Sequence, residues 1–110
     1  MDVTAVRKEY ERLLSLFKDV DESKTKLVDE LLKKAAFLKV QLDRLENEIR
    51  IVGAVQKSSK GNYRQSVPYK TFLTSFTVYQ AAIKTLNSIM GKNVIDEDDE
   101  FDAFMNSIGG

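Results

Sequence analysis

The chain has 110 residues, 43% hydrophobic and 31% charged, and its 17 Lys and Arg balance 17 Asp and Glu. That size suits one domain with one modest core and leaves no room for a separate catalytic module. Cysteine and histidine are both absent, which excludes disulfides and thiolate chemistry and removes the commonest general base and a common metal ligand.

The net charge of zero conceals a split. Residues 1–92 hold all the basic residues and 11 of the acidic ones, a balance of +6, whereas 93–110 hold Asp96, Glu97, Asp98, Asp99, Glu100 and Asp102. A weakly basic body with an acidic tail is compatible with an anionic partner and equally with an ordinary mixed-charge surface. The opening MDVTAVRKEYERLL lacks the apolar run of a signal peptide, and no later stretch is apolar enough to span a membrane, so a reducing cytoplasm is the expected compartment.

In chain order, Val3, Val6, Tyr10, Leu13, Leu14 and Phe17 recur at helical spacing and predict a short amphipathic helix over 3–18. Asp21 or Ser23 is placed to cap the next helix. That helix, over 24–52, carries Val28, Leu31, Ala35, Leu38, Leu42, Leu45, Ile49 and Val52 at alternating steps of three and four. This is a coiled-coil seam on a helix about 43 Å long, ended by Gly53. Residues 53–67, GAVQKSSKGNYRQSV, have no periodic apolar stripe and two glycines, and read as a mobile connector.

Pro68 suits the first turn of a third helix over 68–90. Tyr69, Phe72, Phe76, Tyr79, Ile83, Leu86 and Met90 form its seam, which ends at Gly91. Two long seams joined by one connector predict an antiparallel, coiled-coil-like hairpin. Leu38, Leu42, Leu45 and Ile49 then face Phe72, Phe76, Tyr79 and Ile83 as core or oligomer seam. Ala36, Phe37 and Val40, with Leu73, Val78 and Ile89, lie beside these seams. Either the first helix covers them or neighbouring copies do, and the two are compatible.

The expected class is therefore all-α: a two-long-helix hairpin in a domain over 1–92, with a short N-terminal helix. The tail, 93–110, is acidic and then briefly amphipathic. Phe101, Phe104, Met105 and Ile108 fall at i, i+3, i+4 and i+7, and so short a helix is expected to fold on docking to its own body or to a partner.

No phosphate-binding glycine loop is present, and Asp96–Glu100 lacks the spacing of a calcium loop. No enzyme activity, cofactor or metal is expected. Phosphate binding is the open alternative. Lys57, Lys60, Arg64 and Lys70 are interleaved with Tyr63 and with hydroxyl and amide side chains. A second group, Lys24, Lys26, Lys33 and Lys34, opens the second helix.

The order of parts carries a resemblance. A long helix runs through Glu30-Leu-Leu-Lys-Lys-Ala-Ala and Leu42-Asp-Arg-Leu-Glu-Asn-Glu-Ile, followed by Val52-Gly-Ala and a polar, Gly-containing loop. Ser66-Val-Pro-Tyr opens a second long helix that closes on Leu86-Asn-Ser-Ile-Met-Gly91, and an acidic stretch leads to Asp99-Glu-Phe-Asp-Ala-Phe-Met. Over roughly 24–105 this layout resembles the small terminase subunits of tailed bacteriophages that have a compact two-helix central region. Lys92-Asn-Val-Ile departs from the Leu-x-Pro segment many members carry after this glycine, and no helix-turn-helix domain is apparent.

The resemblance implies a non-catalytic, ring-forming homo-oligomer in the cytoplasm of an infected bacterium. Such a protein recognises viral double-stranded DNA and recruits or regulates the large ATPase and nuclease subunit. Phe101, Phe104, Met105 and Ile108 are then the expected contact to that subunit or to an adjacent copy. The rival expectation is a structural or adaptor coiled-coil protein without a nucleic-acid role.

Overall fold

The structure is a computed structural model that describes residues 3–17, 20 and 22–91. It is predominantly helical. Helix α1 spans Val3–Leu16, a single 3-10 turn covers Glu22–Lys24, α2 spans Thr25–Val52 and α3 spans Val67–Met90. Between α2 and α3 lie two short strands, β1 (Val55–Lys57) and β2 (Tyr63–Gln65). The expected tail helix, with Phe101, Phe104, Met105 and Ile108, lies outside the described residues, as does Asp21.

Helix α2 is the central element and packs against both α1 and α3. The two long helices bury the stripes their spacing marks. Phe72, Tyr79, Ile83 and Leu86 from α3 join Ala35, Leu42 and Ile49 from α2 in one cluster, with Leu38, Leu45, Tyr69 and Phe76 half-buried against it. The rings of Phe72 and Phe76 stack with centroids 6.1 Å apart and planes 9° from parallel. Each large side chain buried here contributes on the order of 1.5–3 kcal/mol.

Helix α1 packs along a second flank of α2. Ala5, Lys8 and Arg12 flank Val40, Asp43 and Asn47 along one cleft, while Tyr10, Phe17 and Val20 flank Val28 and Asp29 along another. The two helices therefore run in opposite directions, and Leu13 and Phe17 reach the common core. This second contact explains why α2 buries more than one seam. Leu32, Ala36 and Val40 are buried as well as Val28, Ala35, Leu42 and Ile49.

Four local expectations are corrected. Val3 and Leu14, placed on the apolar face of the first helix, are exposed, and Val52, placed on the seam of α2, is exposed at its end. Ser23 does not occupy the N-cap of α2. The 3-10 turn winds directly into the helix, so Lys24 takes that position with right-handed helical backbone and provides no side-chain cap.

The segment read as an unstructured connector is instead an antiparallel ribbon, pairing Val55 with Gln65, Gln56 with Arg64 and Lys57 with Tyr63. Its turn explains why. Gly61 N–H donates to the Ser58 carbonyl, Ser58 N–H donates to the Asn62 carbonyl and Asn62 N–H donates to Ser58 Oγ. Gly61 sits at φ +85°, the left-handed position that a three-residue hairpin loop requires and that glycine enters without steric cost.

Candidate nucleic-acid interface

The base of the ribbon is tied to both long helices. Gly53 N–H donates to the Ile49 carbonyl at 2.7 Å, and Ser66 N–H donates to the Ala54 carbonyl at 2.9 Å. Ser66 is fully buried, and its Oγ accepts from Tyr69 N–H at 3.3 Å as the N-cap of α3. Its carbonyl accepts the Lys70 N–H at 3.0 Å, the first bond of the helix. One residue thus closes the ribbon and starts α3, with Pro68 following in the first turn.

On this base the ribbon presents its polar side chains to solvent. Lys57, Lys60, Tyr63, Arg64 and Lys70 are all exposed, Tyr63 by 72%. The register sets Lys57 opposite Tyr63, and Lys57 Nζ lies 5.8 Å from the tyrosine ring centroid. Such a contact holds the cation beside an aromatic face without neutralising it. Because side chains alternate along a strand, Arg64 projects from the opposite face, level with Gln56. Lys60 crowns the turn, and Lys70 stands in the first turn of α3.

From Ile49 through Ile95 the sequence contains no Asp or Glu. The ribbon and the whole of α3 therefore carry charge of one sign: Lys57, Lys60, Arg64, Lys70 and Lys84. The acidic residues of α1 and α2 are Glu9, Glu11, Asp29, Glu30, Asp43, Glu46 and Glu48, and several pair with neighbouring cations, as in Arg12–Glu9 at 2.6 Å and Lys39–Asp43 at 3.6 Å.

The second basic group is not one site. Lys24 and Lys26 are exposed around the start of α2, about 42 Å of helix from the ribbon. Lys33 is engaged: its Nζ lies 3.1 Å from Asp29 Oδ2 and 5.9 Å from the Tyr10 ring centroid. The Tyr10 hydroxyl donates to Asp29, joining α1 to α2. That hydrogen bond, followed by the one from Lys33, holds the Asp29 carboxyl below its usual pKa. The same bond to Asp29 pushes the Tyr10 phenol up. Lys34 instead borders a groove with Lys33, Phe37, Leu38 and Val78.

Sequence spacing did not reveal the Lys57–Tyr63 pairing, the Ser66 cap or the Tyr10–Asp29–Lys33 link. Two of these carry local signals. A serine stands immediately before an apolar-periodic run, as helix starts require, and a glycine-containing loop separates Val55-Gln-Lys from Tyr63-Arg-Gln, as hairpins require. The third depends on which face of α1 meets α2.

Among the described residues no helix is long and apolar enough to cross a membrane. Compared with known proteins, the chain matches no family model, no curated protein and no solved structure, so its functional reading rests on its own residues.

Proposed function

We propose that this chain is the small, non-catalytic subunit of a phage DNA-packaging terminase, an oligomeric protein that touches viral double-stranded DNA and recruits or regulates the large ATPase and nuclease subunit. The observation that carries the reading is the ribbon: Lys57, Lys60, Tyr63 and Arg64 on a hydrogen-bonded tip, within a stretch that lacks carboxylates. A two-stranded ribbon fits the major groove of B-DNA, where its cations serve phosphate contact and the Tyr63 hydroxyl can donate to a phosphate oxygen. The lack of histidine and cysteine supports a binding role over a catalytic one.

In this reading α2 and α3 form an antiparallel, coiled-coil-like hairpin that is the unit of assembly. The bond from Ser66 to Ala54, which sets the end of α2 beside the start of α3, supports it. Exposed apolar residues near the ribbon, Ile51, Val52, Val55, Val67 and Leu73, are the surface offered to neighbouring copies. Assembly multiplies weak phosphate contacts, so a modestly basic chain binds tightly as a ring. The working compartment is the cytoplasm of the infected bacterium.

Two measurements on the purified chain test this. Solution mass is expected to show a closed oligomer, and its affinity for duplex DNA should fall with salt at about 0.9 log units per log unit for each phosphate contacted. Absence of DNA binding by the assembled oligomer at low salt overturns the reading. A monomer or dimer mass together with no DNA binding at low salt marks a structural or adaptor coiled-coil protein.

A further inference from the structure

Helix α1 covers Ala36 and Val40 but leaves Phe37 of α2 and Val78 of α3 exposed by 45% and 51%. These two side chains line a groove between the long helices, floored by Leu38 and bordered by Lys33 and Lys34. Asp29 already engages Lys33, whereas no ion pair engages Lys34 among the described residues. Two aromatic or aliphatic walls beside an open cation define the occupant by chemistry. It is an apolar segment with carboxylates immediately adjoining.

The chain supplies such a segment. Residues 96–102 hold six carboxylates, and Phe101, Phe104, Met105 and Ile108 follow at the spacing of one helical face. The length of the connection permits the contact. Val78 stands about 20 Å along α3 from Gly91 at 1.5 Å per residue. Residues 92–100 span up to about 30 Å when extended, so Phe101 reaches back to Val78 within one chain. A symmetric contact between two copies through this groove brings Lys33 and Lys34 toward their counterparts, which like-charge repulsion opposes.

We infer that the acidic C-terminal segment docks on its own chain, setting Asp96–Glu100 beside Lys33 and Lys34 and Phe101 and Phe104 against Phe37 and Val78. Docked there, it masks Lys33 and Lys34 and leaves the cations of the ribbon open to a polyanion. The contact is independent of the packaging reading, since it concerns the isolated chain without DNA.

The chain has no cysteine, so a double variant, Val78→Cys with Ala103→Cys, reports the contact directly. Both substitutions spare the apolar anchors of the tail, and Val78 is exposed enough for the fold to tolerate the change. Under mild oxidation an intrachain disulfide is expected, forming about tenfold faster than in a Ser59→Cys/Ala103→Cys control whose first thiol lies on the ribbon turn, because docking raises the effective thiol concentration. Lys33→Glu with Lys34→Glu in the same background should slow it several-fold, as should molar salt, which screens exposed charge. An interchain disulfide in place of the intrachain one overturns the inference in favour of a second copy. Equal rates in the two pairs overturn it outright, and a rate indifferent to both charge reversal and salt overturns the assigned role of the lysines.

Discussion

The helical interior and the ribbon are built on opposite principles. Leu13, Leu32, Phe72, Ile83 and Leu86 are buried from three helices at once, and each owes its place to neighbours far away in sequence. In the ribbon, every residue of β2 is exposed, and its order comes from backbone pairing, one glycine turn and the bonds at its base. The interior can lose little without unfolding. The ribbon can change its side chains freely, because few of them are packed. Stability and the proposed DNA contact are thereby separated in space, with Ser66 at the junction of the two.

Substitutions should expose this division in a graded series. Phe72→Ala removes a fully buried ring stacked on Phe76 and should cost about 3–5 kcal/mol, read as a fall in the urea midpoint. Salt-dependent DNA affinity of the molecules that remain folded should be unchanged. Ser66→Ala acts on both regions. Losing the cap should cost about 1–2 kcal/mol and should also raise amide exchange in the ribbon, since its base and the start of α3 share this residue. Exchange that rises in α3 alone would show that the ribbon holds itself together.

Replacing Lys57, Lys60 and Arg64 by Gln should change stability by less than about 0.5 kcal/mol each, as expected for exposed sites. The salt slope of DNA binding should nevertheless drop by about 0.9 for each phosphate contact removed. Thermal unfolding and titration at several salt concentrations separate the two effects. A large stability loss would break the comparison from the ribbon side.

The smallest effect is expected at the α1–α2 contact. The Tyr10 hydroxyl and Lys33 hold the Asp29 carboxyl below its ordinary pKa, so this group contributes stability above that ordinary value and loses it as pH falls through the lowered one. Asp43 works the other way. Desolvation raises its pKa despite Lys39, so acidification through the raised value relieves a cost. Tyr10→Phe should leave the Asp43 contribution and weaken that of Asp29, flattening the acid limb of stability against pH. An unchanged acid limb, measured by thermal unfolding across that range, would show that the Tyr10–Asp29 bond does not couple the helices.

The legibility of the sequence differed between the same two regions. In α2 and α3 the steps of three and four mark residues that are buried or packed on the core, from Ala35 and Leu42 to Phe72 and Leu86, with Val52 the exception. The ribbon carries no such periodicity, because its residues are not sorted by burial, and only Gly61 marks its turn. Candidate cations fared by location. Strand pairing brings Lys57 beside Tyr63 and sets Arg64 on the other face of the same ribbon, whereas Lys33 and Lys34 border one groove and only Lys33 is paired with Asp29.

By itself the sequence determined three helices, two of them long and mutually complementary, because the 3.6-residue repeat and the glycines after Val52 and before Lys92 act locally. Only the tertiary structure decided which surplus apolar residues are covered. Ala36 and Phe37 are neighbours, yet one is sealed in the core and the other is open. The physical reason is rotational: a residue on the flank of a seam is buried or not according to where a third helix lies around the axis of α2. That angle is set by the joint packing of all three helices and is written in no single stretch of chain.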